Sequence, residues 1–203
     1  PARLFDEMLK LLTCGDALAC LKRLRDEGLH HGVLPLLDVI LEQPLGERFV
    51  EQALTNTDQR IREGKSISPG FLFAALLWHE VLAHWNKRKA KNEIAIPALF
   101  AAMSDVLDRQ ATKLAITKRL VGDIKEIWSL QPRFEQRSGK RPYGLLGHPR
   151  FRAGYDFMLL RAQTGEIDAE LGDWWTKFQE SDAAEQESLI AGAPKDNVAP
   201  AKK

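Results

Sequence analysis

Only two cysteines occur in the 203 residues, Cys14 and Cys20. They stand six apart on sequence that reads as helix, so they lean to opposing faces, too far apart for a local disulfide. That fits a reducing, cytoplasmic compartment. No apolar run is long. The longest, Phe71 to Trp78, falls well short of the roughly 20 residues that span a bilayer, so no membrane partner is expected. Period-two alternation and Val/Thr/Tyr enrichment are both missing, which argues against a sheet. No period of roughly 20 to 50 residues repeats, which excludes a solenoid. There is no Walker loop, no G-x-G-x-x-G, no G-x-S-x-G and no adjacent His-Asp pair. The chain opens at Pro1 without a basic-then-apolar leader, directly in helical sequence, and is expected to be part of something longer.

What is present reads as a packed, all-α protein of about eight to ten helices. Hydrophobic residues make up 44% and charged residues 28%, which is ordinary for a globular chain. Leu4, Met8, Leu11 and Leu12 recur at helical spacing, and Gly15 with Asp16 as N-cap then starts a second helix that stops at Gly28. A short buried helix is expected over Val33–Leu41, and an amphipathic one over 46–63 closed by Gly64. Ser68-Pro69 begins a run to about Trp85 that is apolar nearly all round and should be the central buried helix. A charged turn from Asn86 to Glu93 leads to a helix from Pro97 through about Lys113, and Thr117 caps another to about Gln131. One more helix is expected over about 148–162, and a last one holding Trp174, Trp175 and Phe178. The Ala/Glu/Pro/Lys composition from Ser181 onward predicts a disordered tail behind a single body of residues 1–180.

The groups that could carry chemistry are sparse. His79-Glu80 and His84 stand at i and i+5, about 140° apart on a helix, whereas a zinc-hydrolase helix needs i and i+4. Cys14 lies among leucines near a helix end and reads as a buried structural thiol. Asp105 and Asp108 share a face, yet a two-metal site needs carboxylates held rigidly, normally on a sheet. Neither a metal site nor a catalytic residue is assigned. Lys87-Arg88-Lys89-Lys91 reads as a helix-ending run that complements the dipole and faces water.

Charge is the informative feature once the chain is divided. Residues 1–112 carry 14 basic and 15 acidic side chains, and residues 162–203 carry 4 and 9. Between them, residues 113–161 carry 11 basic side chains against Asp123, Glu126, Glu135 and Asp156, a net of +7. The candidate phosphate-binding cations there are Lys118, Arg119, Arg133, Arg137, Lys140, Arg141, Arg150, Arg152 and Arg161. Trp128, Phe134, Tyr143, Phe151 and Tyr155 interleave with them, and cations with aromatics are what phosphate neutralisation and base stacking require. For Phe151 and Tyr155, at i and i+4, a core role is the better reading. So many cations in one region repel each other, and a polyanionic partner accounts for them.

Seven blocks in order then resemble bacterial poly(A) polymerases over residues 1–180. They are Pro1-Ala-Arg-Leu-Phe-Asp-Glu-Met-Leu-Lys-Leu-Leu12, Asn56-Thr-Asp-x-Arg-Ile61, Phe71-Leu-Phe-Ala-Ala75, Asp105-Val-Leu-Asp108, Lys118-Arg-Leu120, Gly139-Lys-Arg141 and Leu145-Leu-x-His-Pro-x-Phe-Arg-Ala-x-Tyr-Asp156. The related CCA-adding tRNA nucleotidyltransferases share the helical architecture, while the stretch Gly139–Asp156 is more similar to the poly(A) branch.

The resemblance implies a class II nucleotidyltransferase that adds adenylates from ATP to RNA 3′ ends without a template, using magnesium. It implies that the catalytic head and most of the neck lie upstream of Pro1, leaving an RNA-binding body with no cofactor of its own. Lys118, Arg119, Lys140, Arg141, Arg150 and Arg152 fall in the family's basic blocks, where they would grip the RNA primer, while His148 and Pro149 would shape a helix start. The family's longer members end in an arginine-rich tail. Here the tail is acidic until Lys202-Lys203, so either the sequence stops short of that element or lacks it. The competing readings are a helical protein–protein module that recruits RNA-degradation proteins through the acidic tail or the 46–63 helix, and the body of a CCA-adding tRNA nucleotidyltransferase.

Overall fold

The computed structural model describes residues 2–29, 47–113 and 116–194, which form ten α-helices and no strand. The helix expected over Val33–Leu41 lies outside the described residues. Packing divides the chain into two compact units, Pro1–Trp128 and Ser129–Lys203, where the sequence reads as one body.

The first unit holds α1 (Ala2–Leu12), α2 (Ala17–Asp26), α3 (Glu47–Arg62), α4 (Pro69–Lys89), α5 (Ala95–Lys113) and residues 118–128 of α6 (Lys118–Phe134). Ser68 caps α4, its side chain accepting from the Phe71 N–H at 3.3 Å. From Leu72 to Trp78 every side chain of α4 is buried, as its all-round apolar sequence predicts. Trp78 meets Trp128 at 6.4 Å between ring centroids, and the Trp128 indole N–H donates to the Ala74 carbonyl at 3.0 Å. Each such fully buried large side chain contributes on the order of 1.5–3 kcal/mol relative to exposure. Met8 and Leu12 carry the buried stripe of α1, and Phe5 stacks on Phe73 at 5.4 Å.

Asp16 stands at the N-cap of α2, as expected, but makes no side-chain cap bond. The buried carboxylate of Asp58, on α3, accepts from the Ala17 and Leu18 N–H groups at 2.9 and 3.2 Å, and Asp16 instead pairs with Arg62 at 2.7 Å. Cys14 is an exposed turn residue and not the buried helical thiol expected from its leucine neighbours. Its thiol lies beside that of Cys20, which burial and then this neighbour push up from the ordinary range. The two therefore share a side, because the turn at residues 13–16 breaks the helical phase on which opposing faces were inferred. Helix α4 also runs on to Lys89, past the stop expected near Trp85. Lys87, Arg88 and Lys89 thus occupy its last turn, where the dipole favours cations.

The second unit holds residues 129–134 of α6, then α7 (Arg141–Leu146), α8 (Phe151–Gln163), α9 (Ala169–Glu180) and α10 (Ala183–Gly192). Pro132 lies inside α6, which the sequence reading ended before it. An interior proline costs about 3 kcal/mol. Offsetting that, Phe134 is fully buried and its carbonyl receives the Trp175 indole N–H at 2.8 Å. The core gathers Leu130, Phe134, Leu145, Phe151, Tyr155, Met158, Leu171, Trp174, Trp175 and Phe178. Gly154 permits the close approach of α8 to α6, since a Cβ there would lie 2.8 Å from Leu130 Cδ1. Where a disordered tail is expected from Ser181, α10 forms up to Gly192. Asp182 caps it by accepting from the Glu185 N–H at 2.9 Å, and Leu189 and Ile190 pack on the core. Bulk composition hid that cap and that apolar pair.

Candidate nucleic-acid interface

The nine cations singled out by sequence fall into three structural groups. Lys118 and Arg119 belong to the first unit and are exposed on the first turn of α6. Thr117 caps that turn as expected, accepting from the Leu120 N–H at 3.3 Å. Cations at a helix N-terminus oppose the macrodipole, so helix stability does not explain these two.

Arg137 and Arg161, in the second unit, are buried and ion-paired. The Arg137 side chain is 9% exposed, and its Nη1 donates to both carboxylate oxygens of Glu170 at 2.7 and 3.0 Å. Its guanidinium also lies 5.5 Å from the Trp174 ring centroid. Arg161 is 8% exposed and donates to Glu166 at 2.8 Å and to the Gln131 side-chain oxygen at 3.2 Å. The net charge of residues 113–161 therefore overstates the charge on offer, because both acids lie just beyond that window. Glu166 is five residues from Arg161 and was within reach of a local reading, whereas Glu170 is 33 residues from Arg137 and left no local signal.

The third group is the surface. Lys140, Arg141, Arg150 and Arg152 are exposed, and Arg133 is half-buried at the end of α6. Lys140 and Arg141 lead into α7, while Arg150 and Arg152 bracket the first residue of α8. Between Glu135 and Asp156 the chain has no carboxylate, so any acid that meets these cations comes from outside the segment. Asp156 at the boundary pairs with Arg152 at 3.1 Å. That pair is solvated and worth well under about 1 kcal/mol, so a phosphate can compete for the guanidinium.

Local chemistry shapes the segment. His148 Nδ1 accepts from the Arg150 N–H at 3.1 Å and so steers the chain into α8, the role expected of it. Of the five interleaved aromatics, Trp128, Phe134, Phe151 and Tyr155 are core residues, and Tyr143 is exposed. Phe151 and Tyr155 stack at 5.8 Å, and the Tyr155 hydroxyl bonds Thr176 at 2.7 Å.

In the first unit, Asp105 is held by Arg88 at 2.6 Å, and the Arg109 guanidinium donates to His84 Nε2 at 2.7 Å. Cations thus occupy the faces where a divalent ion would need free carboxylate or imidazole. Among the described residues no three His, Cys, Asp or Glu side chains gather as a metal site. No chemical step is assigned to these residues. No helix among the described residues is long and apolar enough to cross a membrane.

A family model described as "Polymerase A arginine-rich C-terminus" matches residues 91–203, more than half of the chain. The chain belongs to the poly(A) polymerase family. A second model of that family, "Probable RNA and SrmB- binding site of polymerase A", matches residues 1–41. Poly(A) polymerase I of Salmonella typhi is 40% identical over 197 residues, which cover 94% of this chain and 42% of that protein. The poly(A) polymerase I of Escherichia coli O157:H7 is 40% identical over 198 residues, with the same coverage of each chain. That of Haemophilus influenzae is 36% identical over 208 residues, covering all of this chain and 46% of the relative. The chain thus spans less than half the length of these poly(A) polymerases. Its arginines within the first matched stretch all precede Ala162, and all but Arg109 lie in the basic segment 113–161.

Proposed function

We propose that this chain is the part of a poly(A) polymerase that holds the RNA strand whose 3′ end receives adenylates. The observation that carries the reading is the carboxylate-free segment between Glu135 and Asp156, with Lys140, Arg141, Arg150 and Arg152 exposed on it. Each cation near a phosphate displaces condensed counterions, and that entropic gain holds RNA whatever its sequence. Arg133 borders the same segment, and Lys118 and Arg119 supply a second, separate contact. Arg137 and Arg161 are left out, because their ion pairs keep their charge inside the fold.

In the whole protein, ATP and magnesium act at a catalytic head joined in cis, adenylates are added without a template in the cytoplasm, and this chain contributes grip and direction rather than chemistry. RNA-degradation proteins would be partners of the same assembly.

The test is binding of the full chain to a short single-stranded RNA across a salt series, beside the Lys140→Glu/Arg141→Glu variant. Affinity should fall linearly in log salt. The variant should bind more weakly, with a slope shallower by about 1.4, at roughly 0.7 per lost phosphate contact on a single strand. An unchanged slope and affinity in a variant of normal helicity would refute the assignment of this segment.

A further inference from the structure

Phosphate contacts hold a strand but do not orient its bases, and the segment that carries the exposed cations also carries one aromatic in a different state from the rest. Trp128 and Phe134 are 0% exposed, Tyr155 4% and Phe151 7%, whereas Tyr143 is 38% exposed. It sits on α7, two residues after Arg141 and three after Lys140. Its neighbour Gly144 is exposed too, and a Cβ added there would meet nothing within 4 Å, so the surface beside the ring is open.

The ring is backed from within. Its centroid lies 5.5 Å from that of Phe178 at a tilt of 58°. Phe178 is fully buried, stacks on Trp174 at 4.9 Å and meets Trp175 edge-on at 5.6 Å. A side chain braced on such a cluster loses little further freedom when a second ring covers it, which is the condition for an efficient stacking platform.

We infer that Tyr143 is the platform on which one unpaired base of the bound RNA stacks, while Lys140 and Arg141 hold the phosphates beside it. This rests on the RNA-holding reading above and adds the base to the phosphates. Stacking is sequence-tolerant, because every base has a π face, so the site would fix the strand's register without selecting its sequence.

The full chain is titrated with a short single-stranded RNA and with the same oligonucleotide carrying abasic positions one at a time, against wild type, Tyr143→Ala, Tyr143→Leu and Tyr143→Trp. The Ala and Leu variants should bind the intact RNA about fivefold to one hundredfold more weakly, with an unchanged salt slope, and Trp should bind at least as well as wild type. Leu keeps an apolar side chain against Phe178, so a loss shared by Ala and Leu is not one of folding. At one abasic position, wild type should fall to the level of the Leu variant. Equal binding by wild type and Leu, or a loss that persists at every abasic position, overturns the inference while leaving the phosphate reading in place. Wild type that binds no RNA even at low salt overturns both.

Discussion

At the scale of single residues, identical side chains sit in opposite surroundings a few positions apart. Arg137 and Arg161 are nearly as buried as the leucines around them, while Arg141 and Arg152 face water. Replacing Arg161 by Met removes a charged donor from the half-buried Glu166 and the buried Gln131, and should lower stability by about 2–4 kcal/mol in a denaturant titration. Arg137→Met should cost less, about 1–3 kcal/mol, because its partner Glu170 is more than half exposed and can be rehydrated. Folded protein of either variant should retain wild-type affinity for RNA. A loss of RNA affinity without a loss of stability would return these arginines to the interface.

His84 supplies a pH signature. Burial first, and the adjacent Arg109 guanidinium second, hold its imidazole below the usual range around 6.5. The unfolded chain therefore takes up this proton at a higher pH than the folded one. The His84 contribution is complete above the unfolded value and is lost as pH falls below it. Between pH 7 and pH 5, wild type should lose more stability than a His84→Gln variant, measured by thermal unfolding. Parallel losses in the two proteins would show that the Arg109–His84 contact plays no part.

At the scale of elements, the helix boundaries that followed local rules were legible and those set by distant partners were not. Ser68 and Thr117 cap the helices that follow them, and Gly28 and Gly64 sit at φ 66° and 69° just past α2 and α3, as their types predict. The cap of α2 comes from Asp58, about forty residues away, so no reading of residues 13–18 could find it. Asp58→Ala should strip that helix of its cap and lower stability by about 1–2 kcal/mol, whereas Asp16→Ala, which removes a solvated ion pair, should change it by less than about 1 kcal/mol. Equal effects in chemical denaturation would assign the capping wrongly. The unexpected elements have similar causes. Helix α6 passes through Pro132 because Phe134 must reach Trp175, and α10 exists because Leu189 and Ile190 find a core to cover.

At the scale of the molecule, the family resemblance, the all-helical class and the basic region were determined by sequence, because each rests on order, periodicity or count. Patterning alone sends apolar faces inward at period 3.6 and leaves a region of like charge in need of a polyanion. Only tertiary structure decided which of the clustered cations are exposed and which are buried in ion pairs. It did so by bringing Glu166 and Glu170 onto Arg161 and Arg137, and by burying four aromatics in packed cores while leaving Tyr143 at the surface. The physical reason is that charge and ring type belong to the residue, whereas solvation and pairing belong to the packed neighbours, which a linear reading cannot place.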